Sequence, residues 1–183
     1  RLLTRSDMPG RVPALEIILH RIVWSFFLLV PLIIIMRRWQ EFIAVFKNLR
    51  TLLILLFTAL IVGGNWLLYI WAVNSDHLLQ ASLGYYINPL VNVVLGMVFL
   101  KERLRAPQIL AVVMATAGVL YLTLYYGQFP WIAMALAVSF GLYGLIRKVA
   151  PVGSLVGLTV ETLLLSVPAL IYLYHLDRLE QIS

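Results

Sequence analysis

An all-α membrane protein with six transmembrane helices is the fold class this sequence predicts, from the length of its apolar runs, its scarcity of charge and the placement of its basic residues. Six stretches of about twenty mostly apolar residues crowd 183 positions, and at ~1.5 Å per residue each is long enough to cross the ~30 Å hydrocarbon core of a bilayer. Hydrophobic residues make up 62% of the chain and charged residues 12%, with a mean hydropathy of +0.96. A soluble domain averages roughly 45–50% apolar and ~25% charged. No soluble core would hold apolar runs this long, so one helical membrane domain is the economical reading.

In chain order the spans read as Ala14–Met36, Thr51–Val73, His77–Leu100, Pro107–Tyr126, Pro130–Ile146 and Leu155–Tyr174. Asn74–Asp76 and Gly127–Phe129 are the tightest connectors, so sequential helices are expected to pack antiparallel as neighbours. The longest connector, Arg37–Arg50, sets Trp39, Phe42, Ile43, Val45 and Phe46 among charges. That spacing predicts a short amphipathic helix lying at the interface with an aromatic anchor.

Orientation follows from the connectors. Arg37–Arg50 holds four basic residues (Arg37, Arg38, Lys47, Arg50), Lys101–Ala106 three (Lys101, Arg103, Arg105) and Arg147–Ser154 two (Arg147, Lys148), whereas the two tight connectors hold none. The three basic connectors are therefore expected to face the cytoplasm. Arg1, Arg5 and Arg11 break the pattern, since they would lie outside. An upstream span ending near Arg1 would explain why that segment had no say in orientation. No signal peptide is visible before Ala14.

The net charge of +6 and pI near 9.8 would suggest nucleic acid as the partner of a soluble protein. Here the basic residues are spent on orientation, and no basic stripe with interleaved aromatics lies outside the spans, so nucleic acid is not an expected partner. Zero Cys excludes disulfides and thiolate chemistry. Enzyme signatures are missing: there is no HExxH, no GxSxG and no P-loop, nor a TVGYG filter, and the three His are too scattered for a recognisable metal site. The chain is not expected to be an enzyme or to need a cofactor.

A faint internal repeat lays Leu155–Ser166 on Ala14–Ser25, with Glu161 opposite His20 and Ser166 opposite Ser25. The two copies would start on opposite sides of the membrane, the arrangement of an inverted-topology repeat common in secondary transporters.

Polar groups in hydrocarbon are costly, at least ~2.5–3.5 kcal/mol for an ionisable one near a helix centre on insertion scales, so each needs a partner, a water cavity or a task. His20 and Arg21 lie about two turns inside the first span, and Glu161 about two turns inside the last. Asn65 follows Gly63-Gly64 in the second span. The third span is the most informative: Gln80, Gly84, Asn88, Asn92 and Gly96 recur every fourth residue and line one helical face, with Tyr85 and Tyr86 beside them. Such a stripe is either helix packing, with amides bonded to neighbours, or the wall of a water- or solute-filled cavity. Both readings put Asn88 and Asn92 inward, with Val91 and Leu95 among apolar neighbours. Ala133, Ala137 and Gly141 form a small-residue ridge read as packing. Trp24 and Trp66 read as lipid-facing or packing residues, and Trp131 as part of an aromatic belt.

Several blocks carry a resemblance. His20-Arg-Ile-Val-Trp-Ser-Phe-Phe27, Gly63-Gly-Asn-Trp-Leu-Leu-Tyr-Ile-Trp-Ala-Val-Asn74, and Ala81-Ser-Leu-Gly-Tyr-Tyr-Ile-Asn-Pro-Leu-Val-Asn92 followed by Leu100-Lys-Glu-Arg-Leu104 resemble RarD-type members of the EamA branch of the drug/metabolite transporter superfamily. The likeness runs from about Val12 to Tyr174. It implies a ten-helix fold of two inverted five-helix repeats (5+5) with the substrate path between them, in the bacterial inner membrane, and an association by name with chloramphenicol sensitivity. On that pattern residues 1–13 are an external segment after a missing first helix, 14–126 the remainder of the first repeat with an interfacial segment at 37–50, and 130–183 the start of the second. Thr4–Arg11 departs from the family pattern. A six-helix piece alone is not expected to transport.

Two functions remain open at this point. The leading one is a secondary transporter, a permease or exporter of small metabolites or drugs, working by alternating access. Its site would be lined by Asn65, Tyr85, Tyr86, Asn88 and Asn92, with His20 and Arg21 able to meet a carboxylate and Glu161 placed to carry a proton. Pairing of Arg21 with Glu161 is an equally cheap account of those two charges. The rival is a non-transporting assembly factor or sensor in which the stripe is interhelical glue. The implied partners are a small-molecule solute and membrane lipid, with room for a homodimer.

Overall fold

A computed structural model describes residues 14–127 and 129–180. The expected outer placement of Arg1, Arg5 and Arg11, the irregular Thr4–Arg11 segment and Gln128 in its connector lie outside the described residues. Seven helices follow one another: α1 (Ala14–Ile35), α2 (Trp39–Lys47), α3 (Leu49–Asn74), α4 (Leu78–Leu100), α5 (Ala106–Tyr126), α6 (Trp131–Val149) and α7 (Ser154–Glu180). All but α2 are long and apolar enough to span a membrane, six in number among the described residues. This is a multi-pass membrane protein.

Local chemistry sets the ends. Asn48 caps α3, its Oδ1 accepting from the Thr51 amide at 3.1 Å. Gln108 Oε1 accepts the Arg105 amide at 2.8 Å and Pro107 occupies the first turn of α5, where its missing N–H costs nothing. Gly127 ends α5 at φ +64°, a conformation that glycine adopts without a Cβ penalty. The short α2 lies where the amphipathic spacing predicts, burying Phe42 and Val45 against Ile33, Leu55, Val156 and Val160 while Trp39, Ile43 and Phe46 stay exposed.

Helix pairing corrects one expectation. Neighbours in sequence are not the main neighbours in space: α4 lies along α6, α1 lies along α7, and α6 packs on α4 and α3 rather than on α5 or α7. The cause is the distribution of small residues. Gly84 of α4 meets Ala133 and Leu136 of α6, and Gly141 of α6 meets Val91 and Leu95 of α4, so the two backbones approach closely. Leu83 and Ile87 complete this layer with Ala133 and Ala137. The ridge at 133, 137 and 141 is therefore packing, and α4 and α6 run parallel. By contrast α1 and α7 are antiparallel: Ile33, late in α1, meets Val156, early in α7, and Ile18 and Ile22 meet Leu165.

The three basic connectors converge at one end of the bundle. Lys148 Nζ lies 2.6 Å from Glu102 Oε1, joining the second connector to the end of α6, and the Arg38 guanidinium lies beside Gly153, joining the first to the third. At the other end Trp71 meets Trp131 at 6.2 Å between ring centroids. A basic end is what the positive-inside rule expects of a cytoplasmic face, which makes the Trp71–Trp131 end the expected external one. In a cysteine-free background, Arg103→Cys is expected to react with a membrane-impermeant maleimide from the cytoplasmic side; labelling from outside would invert the map.

Candidate functional site: a polar cavity and a buried carboxylate

Four helices frame a half-open cavity of about 130 Å³ lined by Arg21 from α1, Asn65, Trp66 and Tyr69 from α3, Ala81, Gly84, Tyr85 and Asn88 from α4, and Leu136 and Phe140 from α6, with Arg21 and Tyr85 exposed at its opening. The four-residue rhythm of the α4 stripe aims it at α6. Gln80 Oε1 accepts from the Ile132 amide at 3.3 Å, Gly84 permits contact, and Asn88 opens onto the cavity.

Each polar side chain here has a defined role in geometry. Asn65 Nδ2 donates to Leu136 O and to Ser139 Oγ, both at 2.9 Å, which ties α3 to α6 and leaves its Oδ1 without a described partner. The Arg21 guanidinium sits 5.2 Å from the Trp66 ring centroid. That cation–π contact orients the charge without neutralising it. Among the described residues no carboxylate forms an ion pair with Arg21. Tyr69 and Tyr85 meet edge to face at 5.7 Å. The Asn92 amide donates to Asn88 Oδ1 at 3.2 Å. An unneutralised guanidinium beside phenol, indole and amide groups can hold a solute that presents an acceptor to the cation and hydrogen-bonding groups to the amides.

The structure brings together Arg21, Asn65, Tyr85 and Asn88 of the expected set. Asn92 lines a different cavity further along α4. Asn88 is half-buried, whereas Asn92 is exposed with its Oδ1 turned toward Gly141, and Val91 and Leu95 pack on α6 at the same glycine. Tyr86 is 69% exposed, and neither it nor His20 lines a described cavity.

Glu161 forms a second centre. It is fully buried. Its carboxylate accepts from Thr58 Oγ1 at 2.6 Å and from the Tyr143 hydroxyl at 3.0 Å, with Arg147 Nε 3.5 Å away. Arg147 also donates to the carbonyls of Gly153 and Ser154 at 3.2 and 3.3 Å. A Cβ at Gly157 would overlap its guanidinium, so the glycine makes room for the ion pair. The alternative pairing of Arg21 with Glu161 is thereby excluded, since Glu161 pairs with Arg147. Arg21 is about two turns from the outer end of α1 and Glu161 about two turns from the inner end of α7, so the two charges sit at different depths. The same opposition of copies that suggested an inverted repeat already implied this separation.

Sequence reasoning overlooked Thr58, Tyr69, Tyr143 and Arg147 as members of these centres, and read Trp66 as lipid-facing or packing. Arg147 was assigned to a cytoplasmic connector, whereas α6 runs on to Val149 and keeps it helical. Tyr143 and Arg147 are four apart, as are Asn65 and Tyr69, and that spacing was the available signal.

Comparison with known proteins agrees with this architecture. Residues 4–124 match the EamA-like transporter family. The chain is 53% identical to a Vibrio cholerae protein named "Uncharacterized transporter" over 91% of its own length and 55% of that relative's. It is 50% identical to Protein RarD of Escherichia coli K12 over 89% of its length and 55% of the relative's. With the "Chloramphenicol-sensitive protein RarD" of Pseudomonas aeruginosa it shares 34% identity over 92% of its length and 60% of that protein's. The chain thus spans a little over half the length of these relatives. No solved structure matches it. Taken with six membrane-spanning helices among the described residues, these matches establish that the chain belongs to the EamA-like transporter family, as a RarD-type member of the drug/metabolite transporter superfamily.

Proposed function

We propose that the complete protein is a secondary transporter of small metabolites or drugs in the bacterial inner membrane, built as ten helices in two inverted repeats and working by alternating access. One observation carries this reading above the others: a cavity between membrane-spanning helices holds Arg21 with no carboxylate partner among the described residues, beside the amides of Asn65 and Asn88. A packing device would pair that charge, whereas a solute path needs it available. In this proposal Glu161 carries a proton. Its carboxylate is handed between Thr58, Tyr143 and Arg147 on two other helices, so loss of charge there loosens contacts across α3, α6 and α7. No catalytic chemistry is involved.

A second reading, a non-transporting assembly factor or sensor, is favoured by Asn65, whose amide nitrogen is spent on tying α3 to α6. Uptake of radiolabelled solutes into proteoliposomes by the full-length protein separates the two. A panel of amino acids, nucleosides and antibiotics, chloramphenicol among them because one relative bears that drug in its name, is expected to give saturable flux for at least one class. Intact, inserted protein with no flux across the panel favours the second reading.

A further inference from the structure

Asn88 and Asn92 are hydrogen-bonded to each other yet face different cavities: Asn88 the outer one, Asn92 a space of about 420 Å³ between the cytoplasmic halves of α4 and α6. From this we infer that the α4–α6 seam holds a second solute site on the cytoplasmic side, and that the Asn88–Asn92 amide pair is the partition between the two. The inference rests on the transport reading proposed above.

The second cavity is lined by Asn92, Gly96, Glu102, Gln108, Gly144 and Lys148 among others. Among the described residues its only charges are Glu102 and Lys148, paired at 2.6 Å near its mouth, with both side chains about half exposed. Its other polar groups are amides. Gln108 spends its oxygen on the Arg105 backbone N–H and keeps its NH2 as donor, and Asn92 spends an N–H on Asn88 and keeps its oxygen as acceptor. That oxygen lies 3.4 Å from where a Cβ would stand on Gly141 and 4.0 Å from the same point on Gly144, so it looks across at bare backbone.

These groups select for charge balance. The Glu102–Lys148 pair is half exposed and screened by water, so the remaining groups that a solute meets are neutral amides, a donor on Gln108 and an acceptor on Asn92, with no fixed charge among them to match a net charge. The ligand class is therefore a small hydrogen-bonding solute of zero net charge. It enters past Glu102 and Lys148 and rests beside Asn92, and it reaches the outer cavity when the amide pair and the packing of Val91 and Leu95 on Gly141 both part.

Side-specific labelling in a cysteine-free full-length protein tests this, with a membrane-impermeant maleimide as the probe and Arg103→Cys as the cytoplasmic reference. Gly144→Cys and Asn92→Cys are expected to react from the cytoplasmic side, and Asn88→Cys from outside. Failure of both Gly144→Cys and Asn92→Cys to react from the cytoplasm, while the reference reacts, overturns the cavity. Flux is the second readout. Gly144→Leu, whose Cβ would stand 4.0 Å from Asn92 Oδ1, should fill the space beside Asn92 and abolish transport, whereas Gly118→Leu, on α5 with nothing within 4 Å of its Cβ position, should leave it unchanged. Native flux in Gly144→Leu removes the second cavity from the solute path. Absence of flux in the native protein instead counts against the transport reading, and the labelling pattern still decides whether the partitioned cavities exist.

Discussion

Arg147→Met in the full-length protein is expected to lower stability by about 3–5 kcal/mol, the cost of stripping one partner from a buried ion pair. Glu161 is fully buried, and its remaining partners after the change, Thr58 and Tyr143, are neutral donors. Nothing else described within ion-pair distance could replace the guanidinium. Because α6 and α7 make little other direct contact, the loss falls on the joint between them. The measurement is the denaturation midpoint of the detergent-solubilised protein. Adding Glu161→Leu to Arg147→Met should recover most of the loss, since replacing a whole buried pair by apolar side chains is often neutral or better. An Arg147→Met midpoint equal to the native one would show that Glu161 does not depend on this pair.

Gly84→Val should be the most damaging change on the α4–α6 seam, at about 1–3 kcal/mol for overpacking. A Cβ at Gly84 would already stand 3.3 Å from Leu136 Cβ and 3.4 Å from the Ala133 carbonyl oxygen, and backbone cannot move aside as a long side chain can. The additional methyls of Val would force the helices apart where they also form the wall of the outer cavity. Gly118→Val serves as the contrast, because nothing lies within 4 Å of that position. Equal midpoints for the two variants in the same denaturation assay would mean that close approach at Gly84 is not what holds the seam.

Much of this architecture is legible in the sequence because lipid leaves a chain so few options. The spans stand out as apolar runs, α2 as a charged and aromatic connector, and the cytoplasmic end as a cluster of Lys and Arg. The inward face of α4 is equally plain, since amides every fourth residue cannot face hydrocarbon. What the one-dimensional pattern leaves open is which helix receives that face. The pairing of α4 with α6 depends on Gly84 standing level with Ala133 and Leu136, and Gly141 level with Val91 and Leu95, and no feature of either helix alone reveals that. Glu161 was recognisable as a residue in need of a partner. Its partner was obscured because Arg147 lies near a helix end, where a basic residue is also explained by orientation, and because Arg21 offered a charge of the right sign at the wrong depth. Asn65 carried both open readings at once, and the structure gives it both: its nitrogen packs α3 on α6 while the residue lines the cavity.

The central claim is that the cavity between α1, α3, α4 and α6 carries solute. Its most direct test is flux through proteoliposomes containing Asn88→Leu full-length protein, at matched amounts of inserted protein and with the solute that the uptake panel identifies. The bond from Asn92 lies within α4, and even hydrogen bonds between membrane helices average only ~0.6 kcal/mol, so losing it should leave insertion and abundance near normal. The cavity, in contrast, loses an amide and gains a branched apolar side chain where solute must pass. The account predicts that flux is abolished or greatly reduced. Flux at the native level would contradict it.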